Sequence, residues 1–395
     1  MQQTIASGTA VPFKIEVPET DILDLHSRLD RIRWPEMETV SDWSQGVPLA
    51  EMRNLVEYWR HDYDWRRCET HLNNLAQFRI NLDGLDIHFL HVRSSNQGAL
   101  PLLLTHGWPG SILEFLKVIG PLSEPQNFGD NAADAFHLVI PALPGYGFSG
   151  KPTGTGWNLD RIAANWDLLM KRLGYRYYVA QGGDWGSAVT HALARLKPEG
   201  LMAIHSNFPL VMPPPPYDNL SESEAAMVGA MKRYQRWEAG YSIQQMTRPQ
   251  TLGYALSDSP VGQAAWIFEK FRSWSDCDGD PFNIFSHDEL LDNITLYWLT
   301  GSAASSARLY WESFDGAFIV REPVPVPVPC GYSIFPKEVY RAPKSWAQRC
   351  TPQLIYWNEL DKGGHFAAFE QPESFANEMR HCFRAIRQYG GISEI

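Results

Sequence analysis

Cysteine is scarce in this 395-residue chain, positive charge is in deficit, and long apolar runs are missing. The five cysteines, Cys68, Cys277, Cys330, Cys350 and Cys382, are scattered and odd in number, with no Cys-x-x-Cys. Reduced thiols in a cytoplasmic protein are the expectation. No stretch of about 18 or more apolar residues occurs, so no membrane-spanning helix is expected. The first residues, MQQTIASGTA, hold neither a basic n-region nor an apolar h-region. Neither a signal peptide nor a membrane anchor is expected there. Lys and Arg total 34 against 45 Asp and Glu, a net charge of -11. That balance argues against non-specific nucleic-acid binding. No internal repeat is evident. Asn219-Leu220-Ser221 and Asn293-Ile294-Thr295 match the glycosylation sequon, but without a secretion signal they read as chance.

What is present is apolar and aromatic. Hydrophobic residues make up 44% of the chain and aromatics 13%, with 15 Trp. This supports a substantial core and suits an apolar pocket. The length fits one large domain or two closely joined ones. Residues 1–82 read as a tail and a mainly helical extension, with Thr20 as a helix cap and helical periodicity from Leu49 to Trp59. From 83 the pattern becomes strands alternating with helices. Asp86 to Val92 alternates as a hairpin strand does. Leu102-Leu103-Leu104-Thr105, Leu138-Val139-Ile140-Pro141 and the run from Tyr177 to Gln181 suit buried parallel strands. Helical stretches fall near 111–121 and 159–173. This is the pattern of an α/β sheet with crossover connections. Two proline-rich stretches, Met212-Pro213-Pro214-Pro215-Pro216 and Val324-Pro325-Val326-Pro327-Val328-Pro329, bracket a helical, aromatic-rich insertion. The expected division is an extension over 1–82, a core over 83–210, a helical cap over 211–322 and the rest of the core over 323–395. The cap is expected above the carboxyl ends of the strands, where ligands bind in such sheets.

Chemistry concentrates in Gly182-Gly183-Asp184-Trp185-Gly186. It follows an apolar run and precedes a helical one, the pattern of a sharp strand-to-helix elbow. The central residue is Asp where Ser is usual. A carboxylate suits attack on an sp3 carbon bearing a leaving oxygen or halogen, giving an alkyl ester that water must cleave. Asp184 then needs helpers. His106-Gly107-Trp108-Pro109-Gly110 follows a strand, and the backbone N–H of Trp108 pairs with that of Trp185 as an oxyanion hole. His365, in Gly363-Gly364-His365-Phe366-Ala367-Ala368-Phe369-Glu370, lies on a loop after the last strand and suits a base that activates water. Glu338 suits the acid that orients His365, with Glu359 and Asp361 as rivals. Cap tyrosines suit hydrogen bonding to a departing oxygen. Tyr217, Tyr234, Tyr241, Tyr254, Tyr297 and Tyr310 are candidates, and pattern alone does not choose among them.

These motifs together resemble an α/β-hydrolase-fold epoxide hydrolase of the microsomal-type branch. The N-terminal part is similar to that branch through Ile32-Arg33-Trp34-Pro35, and the resemblance covers nearly the whole chain. It implies an α/β-hydrolase fold with a helical cap and a mainly helical N-terminal extension. It implies Asp184 as nucleophile, His365 as base and Glu338 as acid. It singles out Tyr241, through Glu238-Ala239-Gly240-Tyr241, and Tyr310, through Ser305-Ser306-Ala307-Arg308-Leu309-Tyr310, as donors to the epoxide oxygen. No cofactor and no metal are implied. The implied partner is a small-molecule epoxide, and a homodimer is compatible with the chain. Haloalkane dehalogenase is the alternative within the fold, since it shares the Asp nucleophile and uses a following Trp to bind halide. A non-catalytic binding protein of the same fold is the alternative outside enzymology.

Overall fold

A computed structural model describes residues 8–211, 218–318 and 325–389. Within them the strands form a nine-stranded sheet: β1 Val11–Pro12, β2 Gln77–Leu82, β3 Leu85–Val92, β4 Leu100–Thr105, β5 Phe136–Pro141, β6 Tyr178–Gly182, β7 Leu201–Ser206, β8 Cys330–Ile334 and β9 Leu354–Glu359. Their order is β1-β2-β3-β5-β4-β6-β7-β8-β9. The first four neighbours, β1, β2, β3 and β5, pair antiparallel. From β5 through β4 to β9 all pairings are parallel. The apolar runs in β4 and β6 are buried along their whole length. Parallel strands must be covered on both faces, and helices do so here. Helix Leu159–Arg172 places Ile162, Trp166, Leu169 and Met170 inward at helical spacing, and the Asn158 side chain caps its start by accepting from Arg161 N–H.

The inserted segment between β7 and β8 is helical, as expected. Helices Glu222–Trp237, Gly240–Thr247, Pro249–Asp258, Pro260–Trp274, His287–Leu299 and Ala303–Phe318 follow one another. Two begin with reciprocal capping boxes, Ser221 with Glu224 and Ser286 with Glu289. The N-terminal helices pack against this insertion. Trp59, on helix Leu49–His61, donates its indole N–H to Thr295 Oγ1 at 2.9 Å. Tyr63 donates to Asp292 at 2.9 Å, and Arg67 pairs with the same carboxylate at 2.7 Å.

Three local expectations need correction. Gln77–Leu82 is not helical but the strand paired with β3 across the Asp83-Gly84 turn, so the sheet reaches back past residue 83. The helix expected to be capped by Thr20 starts at Glu19 after Pro18, with no side-chain cap. Of the run 324–329, Val324 lies outside the described residues and 325–329 form no strand; β8 begins at Cys330, where backbone N–H groups are continuous again. Residues 212–217, which include the first proline run and Tyr217, lie outside the described residues. The sequon residue Asn293 is buried and donates to the Pro109 carbonyl at 2.8 Å, which makes it a packing residue. All five cysteines are buried free thiols. Among the described residues no helix is long and apolar enough to cross a membrane.

Candidate active site

β6 delivers Asp184. The chain turns from strand to helix Asp184–Leu196 within two residues, and Asp184 is held at φ 49°. That left-handed conformation is costly for a residue with a Cβ and persists only where packing enforces it. The enforcing contacts are close. A Cβ on Gly186 would lie 1.8 Å from the Thr105 carbonyl oxygen, and one on Gly182 would lie 2.1 Å from the Gly186 carbonyl oxygen. Only glycine fits at either place.

β4 ends beside the elbow. The Trp108 backbone N–H donates to Asp184 Oδ1 at 2.8 Å. His106, one residue past β4, is buried with Nδ1 against the Gly107 carbonyl, while its Nε2 accepts from the Leu143 N–H at 3.1 Å. Burial lowers its pKa to about 4, so it is a neutral strut for this turn. Trp185 is the second residue of helix Asp184–Leu196, and N–H groups of a first turn have no acceptor inside the helix.

β8 and β9 deliver the other two groups. His365 Nδ1 donates to Glu338 Oε1 at 2.6 Å, and His365 Nε2 stands 3.5 Å from Asp184 Oδ2. All three side chains are largely buried. Burial is the largest influence on His365 and lowers its pKa. The Glu338 and Asp184 carboxylates together outweigh it and hold the imidazole well above its ordinary value. Glu338 is further fixed by the Val339 N–H at 2.7 Å. The rivals Glu359 and Asp361 are exposed, and Glu359 accepts from the Trp357 indole instead.

The insertion closes the site. A cavity of about 260 Å³ lies between it and the sheet, and Asp184, His365, Tyr241 and Tyr310 all line it. Phe208, Trp274, Phe314 and Phe318 supply much of the remaining wall. Tyr241 stacks on Trp108 with ring centroids 5.0 Å apart. The Tyr310 hydroxyl is buried without a hydrogen-bond partner, near the equally unpartnered Trp185 indole N–H. Burial raises both phenol pKa values well above the ordinary one, so both stay protonated. Of the other cap tyrosines, Tyr254 is exposed and Tyr297 donates to the Gly110 carbonyl.

Tyr234, one of the candidate cap tyrosines, also lines the cavity and shares a 2.9 Å hydrogen bond with Tyr241. Two groups escaped the sequence reading. Glu370, the last residue of the histidine motif, accepts from the N–H groups of Asp276, Gly364 and Phe366 and so ties the His365 loop to the insertion. Its position five residues after His365 was a visible signal without a visible purpose. Glu114 is the second, and burial drives its pKa up to about 8. Among the described residues no group of three or more His, Cys, Asp and Glu side chains is placed to hold a metal ion.

Comparison with known proteins follows the same lines. Residues 10–115 match the family described as epoxide hydrolase N terminus, and residues 101–248 match the alpha/beta hydrolase fold. A Stigmatella aurantiaca protein provisionally named an epoxide hydrolase is 58% identical, across 95% of this chain and 85% of its own. Epoxide hydrolase 1 of Oryctolagus cuniculus is 37% identical, across 93% of this chain and 87% of its own. The crystal structure of juvenile hormone epoxide hydrolase from the silkworm Bombyx mori superposes with a TM-score of 0.89 at 31% identity, covering 97% of this chain and 96% of that one. The chain therefore belongs to the α/β-hydrolase-fold epoxide hydrolases, in the branch that carries the epoxide hydrolase N-terminal region.

Proposed function

We propose that this enzyme opens an epoxide to a vicinal diol through a hydroxyalkyl ester on Asp184. The observation that carries the reading is the meeting of a carboxylate, two protonated phenols and a carboxylate-paired imidazole in one apolar cavity. Trp108 N–H holds Asp184 Oδ1, so Oδ2 is the attacking oxygen. It bonds to a ring carbon, the carbon–oxygen bond opens, and the oxygen takes a proton within the Tyr241–Tyr310 pair. Oδ1 becomes the ester carbonyl oxygen. Its negative charge in the next step is held by the N–H groups of Trp108 and Trp185, a contribution of about 3–4 kcal/mol per well-placed donor. His365 then takes a proton from water, whose oxygen bonds to the Asp184 carboxyl carbon. Collapse breaks the bond to the alkyl oxygen, which takes the proton back from His365. The second water proton restores the phenol, so water and epoxide leave as diol. Glu338 keeps the imidazole in the tautomer that accepts at Nε2 and stabilises the imidazolium.

In this reading the helices between β7 and β8 act as the cap, within the division at 82, 210 and 322. The aromatic wall favours an epoxide carried on an apolar body. Two tyrosines on the cavity wall favour oxygen departure over halide departure, and Trp185, the residue a dehalogenase needs there, is not part of that wall. The test is diol formation from styrene oxide by the wild type and by a Tyr241→Phe, Tyr310→Phe double variant, with a bromoalkane run in parallel. Diol from the wild type alone is the expected result. Most of the epoxide activity surviving in a folded double variant would exclude these roles.

A further inference from the structure

A second, smaller chamber shares Asp184 and His365 with the substrate cavity and is otherwise lined by different residues. Its volume is about 20 Å³, and Glu114, Gln181 and Asn207 are among its walls. Among the described residues, Asp184 and His365 alone line both spaces. A single water needs about 10–15 Å³ and two to four polar partners. The chamber offers them. Gln181 is 1% exposed, and its Nε2 donates to Asn207 Oδ1 at 2.9 Å, while its Oε1 has no partner. A buried acceptor without a donor is costly unless something fills the position.

Glu114 completes the enclosure. It lies on the short turn Ile112–Phe115, whose start is capped by the Ser111 hydroxyl. Its carboxyl occupies the space over Gly110: a Cβ there would fall 1.2 Å from Glu114 Oε1. Gly110 and Glu114 are thus a matched pair, which gives the last glycine of the 106–110 motif a purpose. Glu114 lines the chamber, and the protein interior around its carboxyl desolvates it.

We infer that this chamber binds the water that cleaves the Asp184 ester, and that Glu114 is the residue that positions it. The inference rests on the ester reading above. Water then reaches the ester from a chamber separate from the substrate cavity, so diol and attacking water do not compete for space. The charged and titratable groups around Glu114 are Asp184, His365 and Glu370, with His106 neutral beside them. Burial raises the Glu114 pKa to about 8, and Asp184 and Glu370 add to this, while His365 and the Ser111 amide oppose it. At neutral pH the carboxyl is therefore protonated. In that form it both donates and accepts, and it adds no second negative charge next to the developing oxyanion.

Single-turnover mixing with styrene oxide, acid-quenched and read by intact mass, separates ester formation from ester hydrolysis. Glu114→Leu is expected to slow hydrolysis by about 10²-fold while ester formation stays within about threefold, so that ester accumulates. Glu114→Gln is expected to restore hydrolysis to within about tenfold. It should also remove the fall in hydrolysis rate expected of the wild type as pH rises through about 8. Unchanged hydrolysis in Glu114→Leu, or equal loss of both steps in the two variants, would overturn the inference. If Glu114→Leu does not fold, the pH profile of Glu114→Gln decides, and a fall identical to the wild type's overturns it. Absence of ester in every variant, His365→Gln included, would instead sink the reading of Asp184.

Discussion

Asp184→Asn removes one negative charge 3.5 Å from His365 Nε2 while keeping the side chain's shape. In the free enzyme that charge and Glu338 together hold the imidazole pKa up against burial. Two unit charges about 4 Å apart interact by about 4 kcal/mol at an effective dielectric near 20. The pKa of His365 should therefore fall in the variant, because one of the two carboxylates that raise it is gone. In the proposed reaction esterification also neutralises Asp184, so the imidazolium form of His365 loses that support and releases its proton to solvent more readily once there is an ester to hydrolyse. Its raised pKa in the free enzyme means that the charged form persists up to pH values above its ordinary titration, and lowering it shifts the rise of base activity to lower pH. The assay is histidine titration by NMR, with the His365 signal assigned from His365→Gln and intact mass confirming that the introduced amide survives. A His365 pKa shared by wild type and Asp184→Asn to within about half a unit would refute the coupling.

Other perturbations separate the parts. Tyr310→Phe or Tyr241→Phe alone should slow ester formation by about 10²-fold with little effect on ester hydrolysis, as read by rapid quench; equal slowing of both steps would count against the donor roles. Glu338→Gln should leave ester formation near the wild-type rate and slow hydrolysis by about 10²–10⁴-fold, because the Nδ1–H loses its carboxylate. A variant that hydrolyses ester normally would return the acid to Glu359 or Asp361. Gly186→Ala should destabilise the fold by about 3 kcal/mol or more, since the new methyl would overlap the Thr105 carbonyl oxygen. An unchanged midpoint in urea would show that the elbow is looser than described.

Much of the site was legible because its chemistry sits in short motifs at strand ends. The elbow glycines report steric contacts that any residue with a Cβ would violate, and Asp184 at their centre names its own chemistry. His365 was legible from its glycine-rich loop after the last strand, whereas Glu338 was named with Glu359 and Asp361 as rivals; in the fold Glu338, His365 and Asp184 form one chain of contacts. Strand β2 was not legible. Gln77–Leu82 continues a helical segment without proline or glycine to punctuate it, and its strand character comes from pairing with β3. The valine–proline run misled in the opposite way, since its β-branched residues suit a strand while its prolines cannot donate to a ladder. Tyr241 and Tyr310 could be chosen from the cap tyrosines only by resemblance, because which tyrosines line the cavity, Tyr234 among them, is visible only in the fold. Glu114 was hidden, since a carboxyl beside the nucleophile is a fact of three-dimensional packing.

The central claim is that Asp184 carries the substrate as an ester that His365 releases. Intact mass of His365→Gln after incubation with styrene oxide tests it most directly, with peptide mapping of any adduct and a bromoalkane as comparison. The account predicts a mass gain of one whole epoxide, located on Asp184. No adduct from the epoxide, an adduct on another residue, or alkylation by the bromoalkane alone would contradict it.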